Sequence, residues 1–219
     1  STSNGVAALT DGQPYFITGT EPSSMTAIRV DLAQACINVH SVVDMGDYVL
    51  YAGPDGLCSV QSASGSVVTK GQISVKQWNA DFNPTTYRAF RHEGRYVAFH
   101  ATGGWVFDPR GGEATLSTLT LSAAVRGGYR NPKDGQLYTI VANKIKKYQG
   151  GSTNNTLKFK SKKFVTPAPV SMGWVSVHAN THASGVSADP VTVKVYGDGT
   201  LVAHYALTYV NSVYTQSTT

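Results

Sequence analysis

Charge is scarce in this sequence: only 14% of its 219 residues are Asp, Glu, Lys or Arg, and cysteine occurs twice, at Cys36 and Cys58. A disulfide scaffold carries more cysteines than that, and a zinc site needs closely spaced ligands, so the pair reads as reduced thiols in apolar strands and no metal is implied. Long apolar runs are missing too. No stretch approaches the ~20 residues that span a bilayer, and STSNGVAALT has neither a basic n-region nor an extended apolar segment, so no membrane is implied. The chain opens on Ser1 rather than Met, which reads as a fragment of a longer polypeptide or a processed product, with repeats missing upstream.

Recognised catalytic motifs are also lacking. There is no phosphate-cradling G-x-x-x-x-G-K-[ST], no G-x-S-x-G elbow, no H-E-x-x-H and no cysteine knuckle. His178 and His182 are four apart, but in strand or loop surroundings that give no shared helical face for a metal. Glycoside cleavage needs paired carboxylates, and Asp44, Asp47, Asp55 and Asp108 all lie near strand ends. Each has a turn-forming explanation as well, and the S-x-D-x-G-x-x-W repeat of sialidase-type propellers is absent. The expectation is therefore a non-enzymatic protein, with no catalytic, cofactor-binding or metal-binding residue and no cofactor.

What is present is β-structure. Apolar residues make up 41% of the chain, and Gly, Ser, Thr, Val and Tyr are abundant, a composition suited to strands and tight turns. Tyr48–Ala52 and Leu57–Val60 flank Gly53-Pro54-Asp55-Gly56 and predict a β-hairpin. Similar outlines recur at 12–31, 94–109 and 135–151, where a glycine-bearing turn leads into a Tyr-centred strand and then a second apolar strand. Gly12, Gly46, Gly94 and Gly135 are 34, 48 and 41 residues apart. That irregular period brackets the roughly 40–50 residues of a four-stranded propeller blade. The fold expected is all-β, with propeller-like repeated antiparallel units, possibly a partial propeller, and a further hairpin region at the C-terminus. A meandering β-sandwich is the alternative.

Further turns are predicted at Ser64-Gly65, Glu93-Gly94, Gly103-Gly104 and Gly197-Asp198-Gly199, and strands at 157–165 and 172–179. One helix is predicted over 74–82, with Ser74 as its cap, Val75, Trp78 and Phe82 at helical spacing, and Asn83-Pro84 ending it. Members of Tyr48–Leu50 and of Tyr96, Val97 and Phe99 are expected in the core. The small, polar stretch at 183–190 suggests a division into a propeller-like domain, 1–182, and a C-terminal β segment, 183–219.

The net charge of +5 is unevenly spread. Lys144, Lys146, Lys147, Lys158, Lys160, Lys162 and Lys163 fall within twenty residues and form the candidate interaction surface. Lys158, Lys160 and Lys162 alternate with their neighbours, which on a strand puts three ammonium groups on one face. Such a face suits a solvated edge, an acidic partner or a phosphate backbone, and no aromatic residue shares it to stack on bases.

The runs QPYFITGTEPSSMTAIRVDLAQACI, SVVDMGDYVLYAGPDGLCSV, VVTKGQISVKQWNADFNP and LKFKSKKFVTPAPVSMGWVSVHA, in that order, resemble tail or neck structural proteins of tailed phages and prophages, the group of the tail nozzle or tail tubular proteins. The resemblance covers about residues 12–182. It implies a propeller-bearing virion structural protein, made in the bacterial host cytoplasm. It also implies a homo-oligomeric ring with other tail or neck proteins around a conduit through which double-stranded DNA passes without specific binding. The competing expectation is a carbohydrate-binding propeller or glycoside-processing enzyme. It rests on Tyr48, Tyr96, Trp105 and Tyr138 near turns, where aromatic rings stack on sugars.

Overall fold

A computed structural model describes residues 2, 5–110, 115–151, 158–161, 163–168, 191–210 and 213–215. The chain divides between Thr156 and Leu157 into two compact units. The boundary expected at 183–190, and the strand expected at 172–179, lie outside the described residues.

Among its described residues the first unit holds four antiparallel sheets in chain order. The first is β1 (Val6–Ala8), β2 (Tyr15–Thr18) and β3 (Thr26–Arg29). The second is β4 (Val43–Asp44), β5 (Val49–Ala52), β6 (Leu57–Gln61) and β7 (Ser64–Val67). After helix α1 (Val75–Asp81) comes the third, β8 (Arg88–His92), β9 (Arg95–His100), β10 (Gly103–Asp108) and β11 (Thr115–Thr120). The fourth is β12 (Val125–Arg130), β13 (Leu137–Val141) and β14 (Lys144–Lys147). Within each sheet, every strand pairs with the next one in sequence. The second unit carries β15 (Val191–Gly197), β16 (Thr200–Val210) and β17 (Val213–Thr215), paired the same way. The described chain is therefore all-β apart from α1 and short 3-10 turns.

Strand alternation explains how these sheets pack. Successive side chains point to opposite faces, so a strand that is apolar at every position needs cover on both sides. In β5, Leu50 and Ala52 face a core shared with the third sheet, while Tyr51 faces Phe16 and Val30 from the first. In β9, Tyr96 and Ala98 face back to the second sheet, while Val97 and Phe99 meet Val125 and Leu137 of the fourth. The two middle sheets are thus buried on both faces, and the continuous apolar runs of β5 and β9 are the signature of that position.

Helix α1 closes the core between the second and third sheets. Ser74 caps it by accepting from the Gln77 amide at 3.2 Å, as its sequence predicts. Trp78 is fully buried and stacks on Phe82, edge-on to Trp105 and Tyr87. Its Nε1 donates to the Gly53 carbonyl at 2.9 Å, which ties the helix to the β5–β6 turn predicted from Gly53-Pro54-Asp55-Gly56.

Two glycine-bearing turns fall elsewhere than predicted. Ser62 and Ala63, not Ser64-Gly65, turn β6 into β7, and Ala101 and Thr102, not Gly103-Gly104, turn β9 into β10. The glycines lie inside strands because something approaches them closely. A side chain at Gly65 would meet Leu32 and Val30, and one at Gly104 would strike the Ala98 carbonyl oxygen. The turns at Glu93-Gly94 and Asp198-Gly199 stand as predicted, each with two successive residues in the left-handed region.

Candidate functional site

The β13–β14 hairpin fixes where three of the seven lysines point. Ala142 and Asn143 have φ of 48° and 62°, the conformation of a two-residue turn matched to strand twist, and they set Val141 opposite Lys144. Thr139 then faces Lys146, Ile140 faces Ile145 and Tyr138 faces Lys147. Paired residues share a face, so Lys144 and Lys146 lie on the side of buried Thr139, toward the third sheet, while Lys147 and Ile145 lie on the opposite side. All four β14 residues are exposed on the edge strand of the sheet, where lysines discourage indiscriminate strand pairing.

The remaining lysines do not extend this arrangement. Lys158, Lys160 and Lys163 are exposed and belong to the second unit, and Lys162 lies outside the described residues. The strand expected at 157–165 is not formed at 158–161 or 163–165, so no alternation places those ammonium groups on one face. The physical reason is lack of a neighbour: an extended segment is stable only when its backbone groups pair, and no described strand pairs with these residues. Their apolar members are accordingly left in water, with Phe159 88% exposed.

Sequence reasoning passed over Tyr129, Ile140 and Ile145 and considered Tyr138 only for stacking on sugars. Tyr129, Tyr138, Ile140 and Ile145 share the outer face of the fourth sheet, and Tyr129 and Ile145 are 63% and 76% exposed. The alternation of Ile145 with Lys144 and Lys146 carried the signal, but only the register shows that four apolar side chains from three strands converge.

The four carboxylates considered for glycoside chemistry are engaged in turns and ion pairs. Asp44 accepts from the Gly46 amide at 2.7 Å, and Asp55 accepts from Gln34 Nε2 at 2.7 Å. Asp108 accepts from Arg110 and Arg95, each at 2.9 Å, and Asp47 is likewise partnered. The guanidinium groups of Arg110 and Arg95 hold the Asp108 carboxyl well below the usual carboxylate range. A carboxyl kept ionised in this way is unsuited to donate a proton to a leaving group.

Of the aromatic residues considered for sugar stacking, Trp105 and Tyr96 are buried, while Tyr48 and Tyr138 are half-buried. Tyr96 donates to the Ser41 carbonyl at 2.7 Å, and its hydroxyl lies 3.0 Å from that of Tyr87. With one proton on each oxygen, Tyr87 donates to Tyr96, and burial pushes both phenols up. Ser41 Oγ in turn donates to the Asn38 carbonyl, and Asn38 Nδ2 donates to the Pro84 and Tyr87 carbonyls. This network joins the second sheet to the third and is structural. Burial also raises the Cys58 thiol to about 12, and neither cysteine is in a disulfide.

Among the described residues, no group of three or more His, Cys, Asp or Glu is placed to hold a metal ion, and no helix is long and apolar enough to cross a membrane. His178 and His182 lie outside the described residues. No protein-family model matches the chain, and no curated protein sequence matches it.

Proposed function

We propose that the chain is a non-enzymatic structural component of a phage tail or neck, forming part of an oligomeric ring around the DNA conduit, with its first unit a β-propeller or an open part of one. The observation that carries this reading is the stacking of the sheets. Each middle sheet is covered on one face by the sheet before it and on the other by the sheet after it. A two-sheet sandwich offers each sheet only one such neighbour. The first strands of successive sheets also lie side by side, β4 against β8 and β8 against β12, which is how blades surround a common axis. The ordered resemblance of residues 12–182 to tail nozzle proteins supplies the biological setting.

The exposed lysines favour a protein contact over DNA binding. A channel that conducts DNA works against itself if it grips the cargo, since each phosphate contact adds affinity that must be broken during passage. Mass spectrometry of purified particles of the encoding phage is expected to detect this polypeptide, and its absence from them overturns the reading. Charge reversal at Lys158, Lys160 and Lys162 is expected to impair assembly in a salt-dependent way while the isolated chain stays folded. Normal assembly at low salt counts against an acidic partner for those lysines.

A further inference from the structure

The two end sheets of the first unit differ from the middle ones in having a face that no described element covers. On the fourth sheet that face carries Tyr129, Tyr138, Ile140 and Ile145, with Lys147 at the end of its edge strand. On the first, the register puts Val6, Ile17 and Ala27 in one row and Ala8, Tyr15 and Arg29 in the next, opposite the face that buries Phe16. Val6 is 46% exposed and Tyr15 39%. Both faces are apolar surfaces of the same kind that the middle sheets bury against each other.

Their surroundings are opposite in charge. Residues 5–32 contain Asp11, Glu21 and Asp31 against Arg29, a net of −2. Residues 125–147 contain six Lys and Arg against Asp134 alone, a net of +5. All three acids of the first sheet lie exposed, in its connecting turns or just beyond β3. Of the basic groups of the fourth sheet, Lys147 lies on its outer face and exposed Lys133 in its β12–β13 turn, while Lys144 and Lys146 lie on its other side.

We propose that the outer face of the fourth sheet docks on the outer face of the first sheet in a second copy of this chain. The contact continues the intramolecular stack across the molecular boundary: apolar residues of two sheet faces interdigitate, and the net positive charge of the one sheet meets the net negative charge of the other. It joins two different surfaces, so it is head-to-tail, and such contacts generate rings when the rotation closes. Two copies bring together eight sheets, within the roughly four to eight blades of closed propellers. The inference rests on the stacked-sheet reading and gives the proposed ring a specific contact, but it does not depend on a phage origin.

Sedimentation velocity of the purified 219-residue chain tests it, with Ile145→Asp and Val6→Asp as variants that each block one face at an exposed position. The unaltered chain is expected to show mass above that of one copy, rising with concentration and falling with salt. Each variant alone is expected to lose this association. An equimolar mixture of the two is expected to recover a dimer containing one copy of each, because each variant retains the face its partner lacks. Near-UV circular dichroism, reporting the packing of Trp78 and Trp105, verifies that both variants are folded; if Val6→Asp is not, Tyr15→Asp replaces it. The proposal is overturned by an unaltered chain that stays single at every concentration, by a folded variant that still self-associates alone, or by a mixture that stays monomeric. Detection of the polypeptide in virions is a separate result, so a failure here leaves the tail assignment standing and points to another occupant for these faces.

Discussion

Tyr96 and Tyr138 are each the second residue of the strand after their sheet's first, yet they face opposite ways, Tyr96 toward the sheet before it and Tyr138 away from the sheet before it. Tyr96 is fully buried, its hydroxyl donating to the Ser41 carbonyl, whereas Tyr138 is half-buried and its hydroxyl donates to exposed Asp134. The third sheet has a neighbour on both faces and the fourth on one. The same hairpin grammar therefore produces core in one sheet and surface in the next, and the phase of the strand together with the sheet's position in the stack decides which.

The sharpest way to break that comparison is to truncate an aromatic side chain in each region. Trp105→Ala removes a ring that contacts Trp78, Phe82, Tyr87 and Tyr96, and should cost about 3–5 kcal/mol in chemical denaturation. Phe99→Ala, at the buried seam between the third and fourth sheets, should fall in the same range of about 3–5 kcal/mol. Tyr129→Ala on the exposed face should change the stability of the single chain by no more than about 0.5 kcal/mol. Equal costs at Trp105 and Tyr129 would dissolve the distinction between middle and end sheets.

Removing only a hydroxyl refines it. Tyr96→Phe leaves the buried Ser41 carbonyl without this donor and should cost about 1–3 kcal/mol, while Tyr138→Phe, whose partner is solvated, should cost clearly less. Ser74→Ala tests the cap of the helix that closes the middle core, with an expected loss of about 1 kcal/mol in the same measurement.

The smallest effect is expected at Asp108, on the third sheet's exposed end. Its folded-state pKa is depressed by Arg110 and Arg95, so the stabilisation it lends is fully present above the unfolded value near 3.8 and is lost as pH falls through the lower folded value. Asp108→Asn should therefore leave the acid end of a melting-temperature profile unchanged and lower its neutral range slightly, flattening the acid limb by the same small amount, since Arg110 is largely exposed and solvent screens the pair. An unchanged acid limb would show that the ion cluster contributes nothing to folding.

Local chemistry was readable wherever a few neighbouring residues sufficed. Ser74 with Val75, Trp78 and Phe82 announced α1, and Gly53-Pro54-Asp55-Gly56 announced the β5–β6 hairpin. Strand β12, with the sequence VRGGYR, gave no such announcement, because its glycines look like turn residues until Gly128 is seen lying against Phe90 of another sheet. The lysines were visible as a cluster in sequence, but the alignment of Lys158, Lys160 and Lys162 on one strand face that it led one to expect is not realised, since residues 158–161 do not form the strand that would align them.

The sequence by itself determined an all-β chain of repeated hairpins, because turn chemistry and strand alternation act over two to six residues and need no distant partner. Tertiary structure alone decided which hairpins are core and which are surface. Burial of a strand's second face depends on a sheet tens of residues away, and so does the meaning of Tyr96 against Tyr138, of Gly104 within a strand, and of Ile145 among its lysines.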